Sequence, residues 1–299
     1  MRFILRLLPF HNFSEIMLKE AVLKAEYIVR FYYIALFFLA VTTIGDWSYY
    51  LDKSAIDPLW PIVWVNFVDY NFGVNIIFTT LLIGTFSAAL FPKMRLTRLA
   101  AFLVLFEFVA FDKSFGQLAH NWHAFVLTSF LLVFLPYKRE GDKSYNHNFL
   151  SIFWGCQAIV LLAYTMSGVW KIYNGFIQMA LGEIHNFHPQ AMSYQVADRL
   201  LQTGRTTLLD SFIIEQIWVG WPLYVGAIFI ELLAFSVAFL PSFHRLWAFA
   251  VISMHICIKL TMGIGFEQNI LLIALLFFNS PFIVSGNRWQ NWLSKKLNF

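Results

Sequence analysis

Charge is scarce in this sequence. Asp, Glu, Lys and Arg together supply 13% of its 299 residues, while hydrophobic residues supply 59% and mean hydropathy is +0.64. A soluble domain carries about 25% charged residues. No soluble fold of this length has the interior to hide so much apolar surface, so the shortage excludes a water-soluble globule and makes a bilayer the solvent. Cysteine is scarcer still. Cys156 and Cys257 both fall in apolar runs, which favours two buried free thiols over a disulfide or a metal site. Alternation of polar and apolar residues is also missing. Backbone polar groups in hydrocarbon must be bonded in helices or closed barrels, and continuous apolar runs select helices. There is no Gly-rich phosphate loop, no Ser-His-Asp order, no internal repeat, no low-complexity tract and no pair of inverted halves. A cleavable signal is not expected either, because Arg6 and Pro9 interrupt the first apolar run and no small-x-small site follows.

What is present is a series of long apolar segments. About 20 apolar residues are needed to span a bilayer as a helix. Eight segments bounded by charge, Pro or Gly qualify: 27–45, 73–91, 96–111, 121–135, 149–171, 222–240, 246–262 and 269–284. The expected fold is therefore all-α, a polytopic helical bundle of about eight spans. Residues 46–72, with four aspartates and "PLWPIVW", read as an interfacial loop that could hold a re-entrant segment.

Basic residues resist export, so their distribution orients the bundle. Alternate connecting segments hold five, three, three, one and three Lys or Arg on one side, against one, one, two and none on the other. This places both termini in the cytoplasm. It also explains the net charge of +4 as a topology signal, with no nucleic-acid partner implied. Residues 1–24 read as an interfacial amphipathic segment, 25–285 as the membrane domain and 286–299 as a cytoplasmic tail.

This topology gathers polar residues at one depth. His120, Asn121 and His123 begin the fourth span at the outer face, and Lys171 ends the fifth there. At 1.5 Å per residue from Arg245, His255 rises roughly 15 Å and Lys259 roughly 21 Å. The turn "GIGFEQN" brings Glu267, Gln268 and Asn269 to the same level. Ionisable groups inside a membrane are costly and mark functional sites. Glu107 and Glu231 near the midplane are candidate packing residues or counter-ions for Lys259 and His255.

Three stretches carry a family resemblance: "LAYTMSGVWKIYNGF" (162–176), "HNWHAFVLTSFLLVFLP" (120–136) and the run from Glu231 through "MHICIKLTMGIGFEQN". Their order and spacing resemble the transmembrane region of the vitamin K-dependent gamma-carboxylases, also called the horizontally transferred transmembrane (HTTM) domain, over residues 25–285. The resemblance rests on Tyr164-x-x-x-Gly168-x-x-Lys171, Glu231 and His255 with "GIGF". It implies that Lys171 is the base that deprotonates reduced vitamin K or a related hydroquinone at an outward-facing site, with His255 as a second catalytic group. His120, Asn121, His123, Tyr164, Trp170, Glu231, Lys259, Glu267 and Gln268 are then the implied quinone- or substrate-binding residues. Oxygen and carbon dioxide are the implied co-substrates, through epoxidation coupled to carboxylation. Apolar surroundings disfavour a charged amine, which suits Lys171 to act as a base. Two departures stand out. His120 precedes Asn121 where the family has Asn-His, and Glu267 replaces the usual serine. With no counterpart to the large C-terminal soluble region of animal carboxylases, a small-substrate reaction is a better expectation than carboxylation of a protein.

Other readings remain open. Lys171 beside Trp170 and Tyr173 suits an interfacial anchor that snorkels to water, and His255 suits a buried helix–helix hydrogen bond. A second class of function is a non-catalytic membrane partner for the maturation, export or immunity of a secreted peptide, as for some stand-alone members of the family. A third is a metal enzyme using His120, His123, His185 and His188 of the two His-x-x-His motifs. Against it, Pro189 disfavours a helix at His188 and no carboxylate or thiolate completes the set, so no metal is expected. Finally, residues 172–221 read as an outer lid. It would contain two amphipathic helices: "PQAMSYQVADRLLQTG", with Pro at its start and Gly at its stop, and "TTLLDSFIIEQIWVG".

Overall fold

The first helix, α1 (Glu15–Thr42), starts where Ser14 can cap it: its Oγ accepts the Met17 N–H at 3.4 Å. The computed structural model describes residues 8–53, 56–116, 121–137 and 144–283. Helix accounts for 77% of the structure, and no strand occurs among the described residues. Helix α1 runs unbroken from Glu15, so residues 15–24 are its first turns. Residues 1–7 and the tail from 284 lie outside the described residues.

After α1 come α2 (Trp47–Leu51), a 3₁₀ stretch (Trp60–Phe67), α3 (Tyr70–Leu90), α4 (Arg95–Lys113), α5 (His123–Leu132) and the 36-residue α6 (Tyr145–Ala180). Next are α7 (Ala191–Thr203), α8 (Asp210–Glu215), α9 (Ile217–Leu232), α10 (Ala234–Val237), α11 (His244–Met262) and α12 (Glu267–Ile273), the last continuing into a π turn (Ala274–Phe278). Each of the eight apolar segments is thus helical. Among the described residues four stretches are long and apolar enough to cross a membrane: Glu15–Leu51, Tyr70–Leu90, Tyr145–Ala180 and Pro241–Met262. Helices α5 and α9 and the α12 stretch are apolar but shorter.

Side-chain polarity is distributed as a lipid solvent requires. Large apolar residues such as Phe38, Ile83, Leu103, Phe229, Leu246 and Phe249 are exposed on the helix surfaces. Polar ones are buried and partnered. Gln157 donates to Leu276 O (2.6 Å) in the π turn and to Ser280 Oγ, which also bonds His244 Nδ1 at 2.8 Å. Tyr32 bonds Ser129 and Phe125 O. Where the chain breaks between α9 and α10, Thr165 Oγ1 of α6 accepts the Phe235 N–H at 2.8 Å. A backbone group freed inside hydrocarbon must find such a partner. Of the two cysteines, neither disulfide-bonded, Cys156 is buried but Cys257 is exposed on α11, so the sequence expectation of two buried thiols is corrected for Cys257.

Residues 46–72 form no free loop. Trp64 Nε1 donates to Glu107 at 2.7 Å, Leu59 N to Ser114 Oγ at 3.0 Å and Tyr50 Oη to Asp112 at 2.5 Å, tying the segment to α4. Glu107 is therefore the acceptor for a tryptophan and not the counter-ion of Lys259 or His255.

The closest helix contact involves Gly168. A Cβ built there would stand 2.6 Å from Leu232 N and 2.9 Å from Leu232 Cα, so the backbones of α6 and α9 touch without a side chain between them. Small residues permit such approach in membrane bundles. Gly155, two turns and more earlier on the same helix, has only a Leu131 methyl at 3.8 Å. Gly168→Ala should therefore destabilise the protein by about 1–3 kcal/mol through overpacking, read as a lowered midpoint of thermal unfolding. Gly155→Ala should leave the midpoint unchanged or raise it. Equal midpoints for the two variants would refute the contact.

Candidate functional site

Tyr164, Gly168 and Lys171 fall at i, i+4 and i+7 and so share one face of α6. With Gly168 holding α9 close, Glu231 near the end of α9 meets Lys171. The ammonium contacts both carboxylate oxygens, at 2.6 and 2.5 Å, and Ser167 Oγ reaches Oε2 at 3.4 Å. The Lys171 side chain is 31% exposed and that of Glu231 6%. Glu231 is thus the partner of Lys171, not of Lys259 or His255. Its choice of partner follows from the α6–α9 contact, which sequence spacing does not reveal.

Two turns back on the same face, Tyr164 Oη lies 2.6 Å from His255 Nε2 of α11. The Tyr164 ring meets Trp247 edge-on at 5.4 Å, and the His255 ring lies 4.6 Å from that of Phe266. The "GIGF" turn explains this cover. Gly263 ends α11 in the left-handed conformation (φ 66°) and the chain folds back to lay Phe266 on the imidazole. His255 is buried (4% exposed), and its Nδ1 has no hydrogen-bond partner. A buried polar atom left open in this way is uncommon.

Lys259, one turn after His255, pairs with Glu267 at 2.5 Å, both side chains being well exposed. This is a surface pair, and the Lys259 ammonium together with Glu267's own helix N-terminus holds that carboxyl below the usual carboxylate range. Gln268 is half-buried at the start of α12, and Asn269 is buried. Asn121 has its side-chain oxygen buried without a partner, while His123 is exposed at the first position of α5. His120 lies outside the described residues. Trp170 points outward and packs on Tyr173 at 5.6 Å, as an interfacial anchor would.

Helix α6 does not stop at Lys171 but continues to Ala180. Nothing in 172–180 breaks it, and Gly175 admits Phe187 and Asn186 of the following turn. That turn is part of the site. Asn186 Nδ2 donates to Lys171 O at 2.6 Å, its Oδ1 accepts from Tyr224 Oη of α9 at 2.9 Å, and Gln195 of α7 donates to Tyr224 at 2.5 Å. Ser167, Asn186, Gln195 and Tyr224 were not singled out by sequence reasoning. Ser167, four residues before Lys171 on the same helix, had a signal in that spacing, whereas Asn186, Gln195 and Tyr224 reach the site only through the fold. The expected lid helix is α7, closed by Gly204 at φ 63°. The second amphipathic stretch splits at Gln216 into α8 and the start of α9. Leu209 N bonds Leu260 O and Thr207 Oγ1 bonds Thr261 O, clasping this region to the end of α11. The Thr207 and Ser211 amides hold the Asp210 carboxyl below the ordinary range. This clasp is therefore favoured above that range and lost as pH falls through the lowered value.

His185 and His188 lie 5.7 Å apart in the turn, and each Nδ1 accepts a local backbone N–H. Among the described residues no group of three or more His, Cys, Asp or Glu is placed to hold a metal ion. Two cavities, one beside Arg98 and Tyr145 and one beside Arg95 and Phe134, lie away from Lys171. Comparison with protein-family models, with curated proteins and with solved structures gives no match.

Glu231→Gln leaves the Lys171 ammonium without a counter-charge. It should cost on the order of 2 kcal/mol, between the 3–5 of a fully buried pair and the 0–1 of an exposed one. Replacing both members, as in K171M/E231L, should recover most of that loss. Thermal unfolding of the three proteins in detergent checks this, and a single variant as stable as the native chain would show that the pair carries no stabilisation.

Proposed function

We propose that this chain is an eight-span membrane enzyme of the carboxylase-like (HTTM) kind, with its site toward the outer face and both termini in the cytoplasm. The observation that carries the reading is the joining of two acid–base pairs, Lys171 with Glu231 and Tyr164 with His255, along one face of α6. Both pairs use the residues on which the family resemblance rests.

The paired groups can handle a proton. Lys171 and Glu231 together accept one more proton than their ion-paired form holds, ending as ammonium and carboxylic acid. Proton transfer is efficient when donor and acceptor are within hydrogen-bond reach, and both oxygens of Glu231 are within 2.6 Å of the amine. Tyr164 Oη and His255 Nε2 are hydrogen-bonded at 2.6 Å, with the donor set by the imidazole tautomer. The open Nδ1 of His255, under the ring of Phe266 and near Trp247 through Tyr164, suits a hydroxyl on a flat ring. A reduced quinone bound there would supply a phenolic proton and two electrons. Asn186, by bonding Lys171 O and Tyr224, fixes the helix turn that presents the amine.

A second reading has its own support. Lys171 is engaged by both carboxylate oxygens of Glu231, as a purely structural staple would be. On that reading the chain is a non-catalytic partner for the maturation, export or immunity of a secreted peptide. The two are separated by supplying a reduced naphthoquinone to the purified full chain in lipid nanodiscs and following epoxide formation. The enzymatic reading expects turnover that falls by 10²–10⁴-fold in Lys171→Ala and is also reduced in Glu231→Gln. An inert native protein, with a peptide that co-purifies, gives the partner reading.

A further inference from the structure

At the opposite end of α6 a second polar region has been built, and it serves neither pair described above. A cavity of about 650 Å³ lies between the first half of α1, the turn joining α3 to α4, the end of α5 and the start of α6. Tyr145, the first residue of α6, lines it. Tyr145 and Lys171 are 26 positions apart on one helix, so the two regions are about 39 Å apart along its axis.

The lining has two characters. Leu23, Val29, Leu90, Phe91, Leu135 and Phe149 give it apolar walls. Arg30, Lys93 and Arg98 give it three positive charges against one carboxylate, Glu26. That carboxylate is already engaged: it accepts from Tyr145 Oη at 2.9 Å and lies 3.6 Å from Lys93. Arg30 forms no ion pair among the described residues. Arg98 is 3% exposed. Its terminal nitrogens donate to Pro92 O (3.0 Å), Lys93 O (3.1 Å) and Leu135 O (2.8 Å), which pins the α3–α4 turn to the end of α5. Those bonds are to neutral carbonyls, and among the described residues no carboxylate pairs with the charge and the buried Nε–H has no acceptor. A buried cation with an open donor calls for an anion with free oxygens. Basic pockets between membrane helices, with apolar walls beside them, bind anionic lipid headgroups.

We propose that this cavity is a binding site for an anionic phospholipid, its phosphate held by Arg30, Lys93 and Arg98 and its acyl chains lying along the apolar walls. This assignment is independent of the reading of Lys171. The charge arrangement selects an anionic over a zwitterionic head, and the apolar walls select a lipid over a free phosphate.

The test uses the full chain purified in a nonionic detergent and titrated separately with phosphatidylglycerol, phosphatidylcholine and inorganic phosphate. Thermal unfolding and native mass spectrometry give the readouts. Phosphatidylglycerol should raise the unfolding midpoint and remain bound as one adduct, with the other two ineffective. R30Q/K93Q, at two exposed positions, should keep the lipid-free midpoint and weaken phosphatidylglycerol binding roughly tenfold or more. R205Q, an exposed cation away from the cavity, should bind as the native chain does. Equal effects of the two lipids, full stabilisation by inorganic phosphate alone, or native affinity in R30Q/K93Q would each overturn the proposal.

Discussion

At Gly168 two helix backbones come together with no side chain between them, and the local chemistry depends on that approach. The Leu232 backbone occupies the space a Cβ would need, which brings Glu231 within 2.6 Å of Lys171, a residue 60 positions away in the chain. Without this contact, α9 would stand further from α6 and a half-buried ammonium would face an apolar wall. The approach also sets the neighbouring join. Where α9 breaks at Leu233, Thr165 reaches across to take the Phe235 N–H, and a hydroxyl can do this only at short range. Tyr164, Thr165, Ser167 and Lys171 are therefore four polar side chains within about two turns of α6 bonded to neighbouring helices, Ser167 and Lys171 to Glu231 of α9, Thr165 to α10 and Tyr164 to α11.

This pattern is general in the molecule. In water, apolar groups collect inside and polar ones face out; here the helix surfaces are apolar, and Gln157, Ser280, His244, Tyr32 and Ser129 are tied together in the interior. In hydrocarbon the drive to bury apolar surface between helices is weak, and packing and interhelical hydrogen bonds hold a bundle together. The exceptions are then informative. Eight buried side-chain atoms among the described residues are unpartnered, and two of them, His255 Nδ1 and Arg98 Nε, belong to the two polar regions described above.

Much of the architecture was legible. Each of the eight apolar segments contains a helix, since an apolar run satisfies its backbone most directly that way, although the sixth is broken at Leu233. Helix α7 was legible from Pro189 and Gly204, whose backbone preferences fix its ends. Boundaries were less so. Lys171 looks like a helix end because charge normally marks the edge of a span, yet α6 continues to Ala180 as an amphipathic extension outside the apolar run. The common face of Tyr164, Gly168 and Lys171 follows from helical period alone. Their partners do not: whether Glu231 meets Lys171, Lys259 or His255 is decided by the rotation and depth of α9, which spacing within either helix leaves free. Lys259 instead takes Glu267, eight residues on, through the fold-back at Gly263. Asn186 escaped notice for a related reason: its role depends on Gly175 letting the following turn lie back on α6.

The bias of basic residues toward one set of connecting segments has a physical consequence beyond topology. Arg30, Lys93 and Arg98 all belong to the favoured side, and they converge because the first half of α1, the α3–α4 turn and the end of α5 meet there. A charge retained only to orient insertion could sit anywhere in its segment and stay solvated. Arg98 does not: its guanidinium is enclosed by three carbonyls, and burying a cation among neutral acceptors is costly unless an anion completes the shell. The ion pair near the far end of α6 meets the same requirement from within the chain, since Glu231 supplies the anion. At the near end Glu26 is taken up by Tyr145 and Lys93, and among the described residues no second carboxylate lines the cavity, which is the place the proposed lipid phosphate would fill.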